Sequence, residues 1–171
     1  IADQGGVTDI DLRLRDKVAV ITGGTVGIRL AVAEGLAAEG ANLVLVGRDG
    51  RRADEAAAAV AQKFGIIATA VAADVATAAG CDAVVSGTEK AFGGADILIN
   101  NAGTGSNETI AEADDAKWQY YWDLHVMAAV RLARGLVPGM KRRGGGVVLH
   151  NASICAVQPL WYEPIYNTTK A

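Results

Sequence analysis

Three side chains near the end of the 171-residue chain are spaced for proton chemistry on an oxygen. Tyr166 and Lys170 lie four residues apart, and Ser153 precedes the tyrosine by thirteen (166 − 153). On a helix, positions four apart share a face, so a phenol and an ammonium placed there converge. A free tyrosine titrates near pH ~10, too high to trade protons readily with an alcohol at neutral pH. A neighbouring ammonium and the positive N-terminal end of a helix both favour phenolate. Pro164 suits a first helical position, which puts Tyr166 in the opening turn. Taken alone, the Tyr-x-x-x-Lys pair has a plainer reading too, a core tyrosine beside a surface lysine.

A second constellation lies near the other end of the chain. Thr22-Gly23-Gly24-Thr25-Val26-Gly27-Ile28 separates an apolar run from a stretch of helix formers. A dinucleotide site needs glycine there for a tight turn and for close backbone approach to a pyrophosphate. The following helix N-terminus then offers unpaired N–H groups and partial positive charge. Glycine-rich turns also serve plain turns, so the strand–turn–helix context carries the reading. Further on, Val46-Gly47-Arg48-Asp49 closes the second apolar run. An acidic residue at that point would accept from a ribose 2′-hydroxyl and repel a 2′-phosphate. Gly47 supplies no carboxylate, and Arg48 is a planar cation suited to phosphate, with Arg51 and Arg52 nearby. Asp49 is a good helix N-cap, a role that turns it away from a cofactor. NADP(H) is therefore favoured and NAD(H) stays possible; the other reading of this turn is a solvated charged loop.

Elements to hold these residues alternate along the chain. Strands are expected at 17–22, 42–46, 66–73, 95–99 and 146–150. Helices are expected at 26–39, 49–64 and 77–92, and one long helix at 115–143 with Pro138 kinking or shortening its end. Gly40, Gly65 and Gly93 fall where helices should stop. Wholly apolar strands alternating with helices imply βαβ units. Right-handed crossovers turn these into an α/β, three-layer Rossmann fold, a doubly wound parallel sheet with helices on both faces.

The glycine turn is similar to the TGxxxGxG form of the short-chain dehydrogenase/reductase family, and the resemblance runs from residue 17 to residue 171. It implies hydride transfer between a nicotinamide and a small-molecule carbonyl or alcohol. Gly23, Thr25, Gly27 and Ile28 become cofactor-binding, as does Arg48. Asp74 matches the family's acidic residue at the adenine, with Val75 beside it. Asn101, Ala102 and Gly103 match its NNAG segment, which shores up the sheet and borders the cofactor. Tyr166 becomes the general acid in reduction and the base in oxidation. Ser153 steadies the substrate oxygen. Lys170 lowers the tyrosine pKa and, with Tyr166, holds the nicotinamide ribose.

Two positions depart from the family's pattern. Arg29 stands where the last glycine of the turn belongs, so its side chain either intrudes on cofactor space or pairs with a phosphate. His125 stands where the family has an asparagine whose backbone carbonyl holds a water linked to the lysine. Proton relay through His125 and a histidine satisfied by a neighbour are both open readings. His150 and Asn151 read as structural. Trp118, Tyr121, Trp122 and His125 share helical spacing and read as core or as a subunit contact. Leu160, Trp161 and Tyr162 either line an apolar substrate pocket or plug the core. The resemblance implies a homodimer or homotetramer.

Composition narrows the field. A net charge of −3 gives nucleic acid no basic surface, and no cationic amphipathic helix points to a membrane. No uncharged apolar stretch is long enough to span a bilayer, so cytoplasm is the default expectation. Cys81 and Cys155 lack metal-ligand spacing, no metal site is expected, and both read as small buried hydrophobes, with a disulfide left open. Residues 1–16 read as an N-terminal arm and residues 17–171 as a dinucleotide-binding domain. Family members continue beyond the Tyr-x-x-x-Lys helix with two strands and a substrate lid. The expectation is therefore a longer polypeptide, or a remainder packed as another chain, because the fifth strand would otherwise be an exposed edge. An alternative class is a catalytically impaired nucleotide-binding sensor or scaffold, motivated by Arg29 and His125. An epimerase or dehydratase is a third, disfavoured by the four-residue step from Gly23 to Gly27.

Overall fold

A computed structural model describes residues 11–105 and 107–171; the first ten residues of the expected arm lie outside the described residues. Five strands, β1 (Val18–Thr22), β2 (Asn42–Gly47), β3 (Ala68–Ala72), β4 (Ile97–Asn100) and β5 (Val147–His150), pair in the order β3-β2-β1-β4-β5. Every pairing is parallel. The order reverses at β1, between β2 and β4, and that switch point opens a crevice at the carboxyl ends of the strands.

Alternation along the strands builds both faces. Val18, Val20, Val44, Val46 and Leu98 point to one side, where Cys81 and Val84 of α3 (Ala78–Phe92) meet Leu132, Leu136 and Met140 of α5 (Ala128–Arg142). Ala19, Ile21, Leu43, Leu45 and Ile99 point to the other. There they pack on Ala33 and Ala37 of α1 (Ile28–Ala38) and on Ala57 and Val60 of α2 (Gly50–Phe64). β1 is buried at every position, which is why its sequence carries no polar alternation. β5 is one of the sheet's two edges among the described residues, opposite β3, with Val147 and Leu149 exposed.

Local signals mostly act as expected. Asp49 caps α2 by accepting from Arg52 N–H at 3.1 Å, and Thr77 caps α3 by accepting from Gly80 N–H at 3.0 Å. Gly65 and Gly93 end α2 and α3 in the left-handed conformation. Strands β3 and β4 start two residues later than expected.

The long helix is the main correction. It is α4 (Asp115–Trp122), a π turn (Asp123–Met127) and then α5, rather than one regular helix. Pro138 does not shorten it, since α5 continues to Arg142. Pro138 and Arg134, whose carbonyl loses its N–H partner there, are both exposed, so water can satisfy the freed group. Leu132, Leu136, Gly139 and Met140 meanwhile keep that stretch buried on its inner side. Both cysteines are free and buried. No helix of the described residues is long and apolar enough to cross a membrane.

Asp96 ties the amino-terminal edge of the sheet together. Its carboxylate accepts from Val18 N–H at 2.9 Å and takes two bonds from Arg143, at 3.1 and 2.8 Å. Burial alone would push its pKa up, but the bonds from Arg143 and Val18 outweigh that and hold it below the usual carboxylate range. A depressed folded pKa stabilises the fold above the unfolded value near ~3.9, and that stabilisation is lost as pH falls through the folded value. Asp96→Ala should lower unfolding free energy by roughly 2–4 kcal/mol at neutral pH, measured by urea denaturation, with the deficit shrinking in acid. A loss under about 0.5 kcal/mol would mean the pair is surface-like.

Candidate active site

The site begins with a hydroxyl at the end of β1. Thr22, 2% exposed, donates to Ile99 carbonyl O at 3.3 Å and accepts from Asn101 and Ala102 N–H, each at 2.9 Å. The chain leaving β4 is thereby stitched to the start of the glycine turn. The turn itself is anchored on β2 by Gly23 N–H to Val46 carbonyl O at 2.8 Å. Gly23 and Gly27 take φ of 70° and 59°, which side chains rarely adopt, and a Cβ on Gly27 would meet nothing within 4 Å. Helix α1 starts at Gly27 without a side-chain cap, whereas α2, α3 and α4 each have one. Open backbone at an uncapped helix start fits a pyrophosphate.

Beside this turn lies a cavity of about 270 Å³ whose far end is walled by Arg48, Asp74, Val75 and Tyr120. Arg48 Nη1 donates to Tyr120 Oη at 3.4 Å. Asp49 is spent on its cap, and Asp74 Oδ1 accepts from Ala76 N–H at 3.1 Å. Thr25 packs its methyl against Gly47, Val75 is buried, and the Ile28 side chain is 81% exposed, leaving only its backbone near the turn. Arg29 does enter the cavity. Its stem passes Gly23 and its Nη2 donates to Gly103 carbonyl O at 2.7 Å.

At the near end, α6 (Pro164–Lys170) opens with Pro164 and presents Tyr166 and Lys170. The Lys170 ammonium lies 5.9 Å from the centre of the Tyr166 ring and donates to Asn151 carbonyl O at 2.9 Å. Burial, with the Arg29 guanidinium adding to it, pushes the Lys170 pKa down. A Cβ on Gly103 would be 3.5 Å from Lys170 Nζ, so the ammonium and the Arg29 guanidinium both come close to the same glycine. Ser153 starts a 3₁₀ turn (Ile154–Ala156) that packs against α6. Its Oγ accepts from Cys155 N–H at 3.2 Å, which leaves the hydroxyl proton free to donate.

His125 fills the space between these parts. Nε2 accepts from Thr104 N–H at 3.3 Å, so the ring proton is on Nδ1 and is donated to Thr169 Oγ1 at 2.8 Å. The Thr169 hydroxyl passes its own proton to Ile165 carbonyl O at 2.9 Å. The ring stands edge-on to both Tyr121 and Tyr166, at 5.5 Å from each. Burial, with Lys170 adding to it, lowers the His125 pKa to about 4. Both ring nitrogens are thus engaged by neighbours.

Several contributors were not singled out from sequence. Thr22 reads there as part of the turn and Asn151 as structural, and Tyr120 has no assigned role. Yet Asn151 supplies the carbonyl that Lys170 bonds, and its Nδ2 donates to Asn101 Oδ1. Of the apolar candidates, Trp161 is 85% exposed and Leu160 only partly buried, so neither plugs the core. The aromatic set on the long helix also divides: Tyr121 is buried and donates to Gly105 carbonyl O at 2.7 Å, while Trp122 is exposed.

Comparison with known proteins agrees with this architecture. The short chain dehydrogenase family model matches residues 17–171, and the chain belongs to that family. It is 66% identical to L-sorbose reductase of Gluconobacter frateurii, whose structure was solved with NADPH and L-sorbose, at a TM-score of 0.93. That match covers 94% of this chain and 61% of the reductase. Dehydrogenase/reductase SDR family member 4 of Oryctolagus cuniculus is 35% identical over 166 residues, 96% of this chain and 63% of the relative. A xylitol dehydrogenase solved with NAD+ is 26% identical at a TM-score of 0.85, covering 92% of this chain and 61% of that one. The chain thus spans about three fifths of the length of each.

The neutral state of His125 has a measurable sign. The unfolded chain takes up the proton near pH ~6.5, whereas the folded protein does so at about 4. Between those values only the unfolded state carries it, so His125 makes stability fall as pH drops through that window and adds no slope above it. Urea unfolding at about pH 7 and about pH 5 should show a larger acid loss for wild type than for His125→Asn. Equal losses would contradict the neutral, buried assignment.

Proposed function

We propose that the protein is an NADP(H)-dependent ketone reductase acting on small polyhydroxylated ketones of the ketose class. The observation that carries this reading is the position of Lys170, one helical turn from Tyr166. Its ammonium meets Gly103 at the inner end of the cleft that starts at Gly23 and Arg48. The ketose class comes from the L-sorbose reductase of Gluconobacter frateurii, 66% identical over the shared region.

In this reading a reduced nicotinamide, when bound, supplies hydride to the carbonyl carbon. Gly23, Thr25, Gly27 and the Ile28 backbone receive the pyrophosphate. Asp74 and Val75 border the adenine, and Asn101, Ala102 and Gly103 border the inner half. Arg48 faces the 2′-phosphate, supported by its lack of any carboxylate partner among the described residues. The Tyr166 phenol gives its proton to the substrate oxygen as hydride reaches the carbon, which balances ketone to alcohol. Ser153, whose hydroxyl proton is uncommitted, donates to the same oxygen. Lys170 holds positive charge beside the phenol and is fixed by Asn151. His125, with both ring nitrogens engaged, positions α6 through Thr169 rather than relaying protons.

Loss of NADPH absorbance with L-sorbose and a panel of ketoses tests the reading. Tyr166→Phe should lower kcat by about 10²–10⁴-fold while NADPH still binds. Arg48→Ala should weaken NADPH about tenfold or more and leave NADH unchanged. NADPH binding without turnover on any ketone, unaltered by Tyr166→Phe, would instead make the protein a nucleotide-binding sensor.

A further inference from the structure

Arg29 reaches across the cleft, and the reading above gives it no task. It is the second residue of α1, on the uncapped helix start, and its stem runs under the glycine turn. Arg29 Cδ would lie 3.2 Å from a Cβ on Gly23. Its guanidinium ends on Gly103 carbonyl O, a neutral acceptor on the opposite wall. Among the described residues no carboxylate pairs with it. The two acidic side chains of this cavity are committed elsewhere, Asp49 to the cap of α2 and Asp74 to Ala76 N–H.

The second cation compounds the imbalance. Lys170 also comes close to Gly103, bonded only to a carbonyl, and the charge on Arg29 is one reason its pKa is lowered. Two like charges, both partly buried and both facing neutral oxygens, repel one another around Gly103. An anion entering between the glycine turn and Gly103 relieves both at once. Guanidinium is the group best matched to phosphate oxygens, and exchanging a carbonyl for a phosphate replaces a singly charge-assisted bond with a doubly assisted one.

We propose that Arg29 is a ligand of the cofactor's pyrophosphate, held in place by Gly103 until the phosphates arrive. This rests on the nicotinamide-cofactor reading above and adds to it a residue that takes the place of the family's glycine. Arg29 then acts on the part of the ligand that NADPH and NADH share, and Arg48 on the part in which they differ.

Calorimetric titration of the protein with NADPH, NADH and 2′-AMP, which lacks a pyrophosphate, separates these roles. Arg29→Met should weaken NADPH and NADH by a common factor of about ten- to a hundredfold and flatten their salt dependence. It should leave 2′-AMP unchanged, which also shows that the variant is folded. Arg29→Lys, restoring a cation without the planar fork, should recover part of the loss. Arg48→Ala should weaken NADPH and 2′-AMP and spare NADH. If Arg29→Met or Arg29→Gly binds both dinucleotides as tightly as wild type, or more tightly, the side chain is a bystander or an obstruction and the inference is overturned. If wild type binds neither dinucleotide, the cofactor reading itself fails.

Discussion

One buried hydroxyl sets the geometry on which the candidate site depends. The Thr22 hydroxyl makes three hydrogen bonds, one to Ile99 within β4 and two to the chain leaving it. Without them the Asn101–Gly103 segment would have to satisfy its backbone groups in another way, at a cost of ~1–3 kcal/mol for each one left bare. With them, the glycine turn and Gly103 face each other across a gap of fixed width. Arg29 bridges that gap, Lys170 closes its inner end, and Thr104, one residue beyond Gly103, meets His125. The parallel sheet brings Thr22 level with Asn100, one residue before Asn101, because Ile21 pairs with Ile99.

Electrostatics then gives the cleft a direction. Arg48 and Arg52 flank its outer end, Arg29 its middle and Lys170 its inner end, in a chain whose overall charge is −3. Local hydrogen bonding turns the nearby carboxylates aside, as the capping role of Asp49 illustrates. A net-acidic protein therefore carries a concentrated basic track along the carboxyl ends of its strands, where helix α1 adds the positive end of its dipole. Small, anionic and extended ligands match such a track.

Much of this was legible in the sequence, for physical reasons. Strands buried on both faces show as unbroken apolar runs, so β1 and β2 and the doubly wound order follow from composition and spacing alone. The Tyr166–Lys170 pair and the turn at Gly23–Gly27 were legible because helix periodicity and glycine's backbone freedom are local properties. What escaped is non-local. The π turn at Asp123–Met127 shifts the helix phase where His125 enters the site, and a 3.6-residue period carries no sign of it. Pro138 reads as a kink or an early end because the exposure of Arg134 and Pro138 depends on how α5 docks on α3. The contact between Asn151 and Lys170, and the direction of the Arg29 side chain, join segments far apart in the chain.

Under the proposed function a nicotinamide bound across this cleft would deliver hydride to a carbonyl carbon held beside Tyr166. Mass spectrometry of the alcohol formed from L-sorbose with NADPH deuterated at the transferable position tests it most directly. The proposed hydride transfer leaves one deuterium in the product, bound to the new carbinol carbon. An unlabelled alcohol, or label that exchanges with solvent, would contradict it.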